Sequence, residues 1–287
     1  MVNVPIAAES LFTIGSWPVT NAMVNVWLAI LFFLTIAFCL RRGLSERPGL
    51  FQNGIEMLIE TILDFFDKVT NDRQRSRQFL PIAGTFFFFI LFSNWLGLLP
   101  GTGSIGLWHF LHGELELVPV LRSANSDLNL TVAMALISVI GSHLLGIFSI
   151  GFFTHLNKFI QLGTIWVALK TLNPLTILIA CVEFMVGIIE IFSECAKILS
   201  LSLRLFGNIF AGEVLITVIG SLISVIVPVP FLLLEIIVGI VQAMVFSLLT
   251  VVYLTMSTTA PHGSHDKQED TTPQNHTTDL DLHGSHA

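Results

Sequence analysis

From Pro174 to Gly220 the chain stays apolar with no turn-like polar break. At 1.5 Å per residue, a helix of that extent is about 70 Å long, more than twice a bilayer's hydrocarbon core of roughly 30 Å. One helix must then run strongly tilted; two would add a crossing and move the C-terminus to the other side. The missing break favours one slanted helix. Set into it are Glu183, Glu190, Glu194, Lys197, Arg204, Asn208 and Glu213. An arginine at mid-membrane costs roughly 2.5 to 3.5 kcal/mol on the insertion scale, so a function must require it.

The rest of the chain agrees with life in lipid. Of its 287 residues 53% are hydrophobic and 11% charged, against about 25% charged in a soluble domain. The fold class expected is all-α: a polytopic membrane protein of about five crossings plus one surface helix. Residues 1–20 form an outside N-terminal segment and 21–256 the membrane domain, with spans at about 21–40, 79–99 and 128–153. The tilted hairpin covers about 174–220 and 231–256, the first arm starting at Asn173-Pro174 as N-cap and N1. Residues 50–70 differ: Ile55, Leu58, Ile62, Phe65 and Val69 recur at helical spacing, while Glu56, Glu60, Asp64 and Asp67 line another face. That pattern predicts an amphipathic surface helix. Residues 257–287 are polar, repeat HGSH and read as a disordered tail.

Basic residues orient the molecule. Of 13 Lys and Arg, seven lie between Arg41 and Arg77, two between His155 and Asn173 and one in the tail, all on one side; Arg122 stands alone on the other. The reading is N-terminus outside, C-terminus cytoplasmic, with Lys197 and Arg204 buried. No signal or transit peptide pattern is seen. The net charge of −7 gives no reason to expect nucleic acid. Cys39, Cys181 and Cys195 read as small core residues rather than a disulfide or metal set. No metal or cofactor is expected, and no GxxxxGK[ST] phosphate loop occurs.

The polar groups of the long helix are ordered. Glu183, Glu190, Glu194, Lys197, Arg204 and Asn208 follow at intervals of 7, 4, 3, 7 and 4, which keeps them on one stripe at 100° per residue. Glu213 faces elsewhere. On the next helix Glu235, Gln242 and Tyr253 fall near one line. A hairpin centred near Val225 sets Asn208 opposite Gln242 and Glu213 within a turn of Glu235, so polar groups meet at two depths. Ser193, Ser200 and Ser202 read more simply as helix–helix glue.

The segments "LSLRLFGNIFAGE" (201–213), "EIFSECAKILS" before it, "EIIVGIVQAMVFSLLTVVYL" (235–254), "FILFSNWLGLLPG" and "SDLNLTVAMAL" together resemble the a subunits of rotary F-type ATP synthases, in a bacterial-like form, over nearly the whole chain except the tail. The resemblance implies a non-catalytic stator subunit of the Fo sector, in a bacterial inner membrane, whose tilted hairpin faces a rotor. Its expected partners are the c-subunit ring, a b-subunit peripheral stalk, the F1 head through the assembly, and lipid. Arg204 matches the family's stator arginine. Asn208, Glu213, Glu235 and Gln242 match the lining of a half-channel open to the outside, and Glu190 with Ser193 the one open to the cytoplasm; Tyr253 is a further candidate. Relatives pair a histidine with a carboxylate where this chain has Glu213 and Glu235, so a histidine-based outer relay does not transfer.

The competing functions are a secondary transporter or free-standing proton channel, and a helical scaffold. Transporters often carry internal repeats, and none is seen beyond HGSH. His143 and His155 could join a proton path but read first as packing or interfacial groups. Asp127 reads as an N-cap or an access-channel residue, and Trp95, Trp108 and Trp166 as interfacial anchors.

Overall fold

The computed structural model describes residues 8–43, 49–99, 106–111, 114–160, 170, 174–222 and 227–259. Seven helices dominate: α1 (Asn21–Gly43), α2 (Leu50–Thr70), α3 (Arg73–Gly97), α4 (Leu128–Ile150), α5 (Phe152–Ile160), α6 (Pro174–Leu222) and α7 (Pro228–Thr258). Four of them, α1, α3, α4 and α7, are long and apolar enough to cross a membrane. The fold is therefore the all-α polytopic one expected. α6 runs unbroken for 49 residues, about 74 Å, and is the element read above as a slanted crossing. It opens at Pro174, where the missing N–H is one of the helix's orphan donors anyway. Asn173, Trp166, residues 223–226 and those from 260 onward lie outside the described residues, as does the side chain of Trp108.

Two stretches outside the helices form β-hairpins. β1 (Ser10–Ile14) pairs with β2 (Trp17–Thr20), and β3 (Gly106–Leu111) with β4 (Glu114–Pro119). Gly15, at φ +67°, takes the left-handed first position of the two-residue turn, where a side chain would be strained. The alternation Glu-Leu-Glu-Leu in β4 is the period-2 signal of a strand.

Local chemistry sets the helix ends. Asp72 caps α3 by accepting from Gln74 N at 2.8 Å, and Asp127 caps α4 by accepting from Asn129 N at 3.0 Å. The α2–α3 corner turns on Asn71 at φ 53°. Arg73 ties it by reaching Asp64 at 2.8 Å and Asp67 at 2.6 Å.

The core lies where α3, α4, α6 and α7 meet, with α2 laid against one side; Phe66, Ile90, Leu205, Phe246, Val251 and Leu254 are wholly buried there. Hydroxyls stitch the helices. Ser247 donates to Ala83 O at 2.6 Å, Ser257 to Ser142 O at 2.6 Å, and Ser138 and Thr250 are 2.8 Å apart. Such bonds serve where apolar burial cannot, since lipid is as apolar as the core. The glue thus lies in these residues. Ser202 instead bonds Leu199 O on its own helix, and Ser200 accepts from Arg204.

α2 docks through its C-terminal half, burying Ile62, Leu63, Phe66 and Thr70, while Leu58 and Phe65 of its apolar stripe stay exposed, as befits a helix that meets lipid or a partner. Two expectations change. The three cysteines are free and exposed rather than in the core, because they face away from the chain's own helices. Arg204 is exposed and Lys197 half-buried; depth along the helix is not burial within the chain.

Candidate functional site

One polar cluster forms where α6 and α7 approach the 120–126 segment. That segment is pinned by amides. Asn25 donates to Arg122 O at 2.9 Å and accepts from Ser93 at 2.9 Å, while Asn125 donates to Asn94 at 2.7 Å. These bonds aim Arg122 inward. Its Nε meets Glu213 Oε1 at 2.8 Å, with the two side chains 4% and 28% exposed. Removing either partner of such a pair leaves the other charge poorly solvated.

Next along α6, Gly212 provides the room for Glu235 of α7. A Cβ built on Gly212 would overlap the Glu235 carboxyl group. Glu235 is buried, and only a glycine lets its head lie against the α6 backbone beside Glu213. Two turns further along α7, Gln242, also buried, accepts from Asn208 Nδ2 at 2.6 Å. The Asn208–Gln242 apposition is the one the hairpin register expects.

A second cluster lies at the other end of the same helices. A half-open cavity of about 60 Å³, large enough for a few waters, is lined by Glu190, Glu194 and Lys197 of α6, Tyr253 of α7, His143 of α4 and His155 of α5. Lys197 Nζ reaches Glu194 Oε1 at 2.6 Å, and His143 Nε2 is 3.1 Å from Glu194 Oε2. The Lys197 ammonium also sits 5.5 Å over the Tyr253 ring. Ser193 is half-buried and is not among the cavity's lining residues: one residue from Glu194 is 100° round the helix.

Arg204 stands between the clusters, about 15 Å along the helix from Glu194 and about 14 Å from Glu213. It is exposed, and its guanidinium donates to Ser200 Oγ one turn back at 3.2 Å. Among the described residues no carboxylate pairs with it. The contrast with Arg122 and Lys197, each held by a glutamate, is the main electrostatic feature of the site.

The structure gathers Asn208, Glu213, Glu235 and Gln242 into one group and Glu190 and Tyr253 into the other. It adds Arg122, Glu194, His143 and His155. Arg122 had one sequence signal, its solitude among positive charges on its side. The two histidines are 12 residues apart across a helix break, a separation with no helical periodicity to read.

Over residues 23–255 the chain matches the family described as ATP synthase A chain. It is 32% identical over 236 residues to ATP synthase subunit a of Gloeobacter violaceus, which covers 82% of each chain. It is 29% identical over 244 residues to ATP synthase subunit a of Moorella thermoacetica, covering 85% of this chain and 93% of that one. With ATP synthase subunit a 1 of Syntrophotalea carbinolica it shares 28% over 232 residues, 80% of this chain and 82% of the other.

Proposed function

The chain belongs to the ATP synthase A chain family, and from that premise we propose that it is the proton-translocating stator of the Fo sector, working through Arg204 against a ring of c subunits. It is a subunit rather than an enzyme on its own. It lies in a bacterial inner membrane, its N-terminus outside and its C-terminus cytoplasmic, and meets a b-subunit stalk and, through the assembly, the F1 head.

A rotor carboxyl facing lipid is kept neutral by desolvation. A guanidinium, which cannot lose its proton at working pH, opposes this. A cation about 4 Å away contributes on the order of 4 kcal/mol at an effective dielectric near 20, about a thousandfold in acidity. A carboxyl group passing Arg204 therefore gives up its proton to one half-channel, and takes one from the other before it moves back into lipid.

The outer half-channel is Asn208, Glu213, Glu235 and Gln242, reaching the ring on one side of Arg204. The inner one is Glu190, with Ser193 beside it and Tyr253 across the cavity, reaching the ring on the other. The fixed positive charge between them blocks protons from passing straight through. Each charge crossing the field releases about 2.3 kcal/mol per 100 mV, which turns the rotor and drives ATP synthesis in the head.

One observation carries this reading: Arg204 is exposed on the long helix and unmatched by any carboxylate among the described residues, while polar clusters lie above and below it. In inverted membrane vesicles, Arg204→Ala abolishes ATP-driven proton uptake while the subunit still co-purifies with the ring. Arg204→Lys fails too or is severely impaired, since an ammonium can deprotonate in a buried contact and lacks the planar fork. Normal pumping by Arg204→Ala refutes the reading.

A further inference from the structure

The inner cavity holds more proton-handling chemistry than Glu190 and Tyr253. His143 Nδ1 is 3.2 Å from His155 Nε2, and His143 Nε2 is 3.1 Å from Glu194 Oε2. Both ring nitrogens of one imidazole thus have partners at hydrogen-bond distance, on two different helices. The rings of the two histidines meet edge to face, 5.3 Å between centroids. Gly146, one turn along α4, allows this approach, because a Cβ there would lie 2.8 Å from the His155 ring.

We infer that His143 is a proton-relay residue of the cytoplasm-facing half-channel, passing protons between His155 and the Glu194 carboxylate at the cavity wall. This rests on the stator reading above and deepens it. An imidazole suits the task because it can accept at one nitrogen while releasing from the other. In the inward step, His143 Nδ1 takes a proton from His155 Nε2–H as the Nε2 proton of His143 passes to Glu194 Oε2. His155 Nδ1 is buried against Gly146 in this conformer, so His155 is replenished by cavity water as its ring turns toward the cavity. Glu194 then hands its proton to water or to Glu190, one turn away, and proton exchange with cavity water returns both rings to their starting tautomers. One proton enters and one leaves.

The surroundings favour protons over a bound cation. Lys197 occupies Oε1 of Glu194 at 2.6 Å, placing a positive charge where a metal would need to sit. It also leaves Oε2 as the oxygen turned to His143. The titratable and charged groups around the ring are His155 from α5, Glu190, Glu194 and Lys197 from α6, and Tyr253 from α7.

The test uses assembled complexes in inverted vesicles, where the bath is the cytoplasmic side, and reads the initial rate of ATP-driven proton uptake. His143→Gln keeps polarity but cannot relay. Its rate falls about tenfold, less than the 10² to 10⁴ that a sole acid–base group contributes, because Glu190 and water remain. Plotted against bath pH, its rate lacks a step that the wild type shows. His143→Ala is equally slow and is restored by imidazole added to the bath, an effect no purely structural role produces. Should neither histidine variant assemble, Glu194→Gln carries the same test from the other end of the relay and shows the same loss. Wild-type rates in these variants at every pH, with Arg204→Ala inactive, overturn the relay and leave the stator intact. Active Arg204→Ala vesicles overturn both.

Discussion

Replacing Arg122 with methionine should cost more than replacing Arg122 and Glu213 together. The Arg122 side chain is 4% exposed, and its Nε lies 2.8 Å from Glu213 Oε1. Breaking a fully buried pair by removing one partner costs about 3 to 5 kcal/mol. Glu213 keeps 28% of its side chain exposed, so water screens the orphaned carboxylate; about 2 kcal/mol is the expected cost of Arg122→Met. In Arg122→Met/Glu213→Gln neither charge is stranded, and the cost should drop by about 1 kcal/mol or more. The assay is a double-mutant cycle on the full-length chain in mixed micelles, unfolded with increasing dodecyl sulfate and followed by tryptophan fluorescence. Should the single-variant costs add to the double-variant cost within about 0.5 kcal/mol, the two groups do not act as a unit. The account of Arg122 as the group that holds Glu213 would then be wrong.

Two glycines give independent checks. Gly212→Ala puts a methyl where the Glu235 carboxyl group lies. That group ends a flexible side chain, so it moves and the backbone does not. The complex should assemble, with proton flux reduced by up to about 100-fold if Glu235 must be placed to within an ångström; unaltered flux would show that its placement is unimportant. Gly146→Ala meets backbone instead, with its Cβ 2.7 Å from Ser257 O. The α4–α7 contact must open at about 1 to 3 kcal/mol, and dodecyl sulfate resistance no lower than wild type would contradict that packing.

Much of this arrangement was written in the order of residues. The unbroken α6 follows from a long apolar run that has no proline after Pro174 and no polar cluster around its glycines, and its polar stripe from intervals that are near-multiples of 3.6. Asn208 meets Gln242 because a hairpin of two straight helices has one register once its turn is placed. Such features are local or periodic, and a helix converts spacing in sequence directly into position in space.

The rest needed the folded chain. Arg122 is 91 residues from Glu213, and only the amide bonds that pin the 120–126 segment bring them together. His143 and His155 become neighbours through the break at Gly151, which takes φ +93°. Phe66 rather than Phe65 enters the core because the angle at which α2 docks decides which of two adjacent faces is covered. Sequence fixes what each helix can present, since the side chains are covalently ordered along it. Which groups meet across helices depends on packing angles and on short irregular segments, whose geometry no single helix encodes.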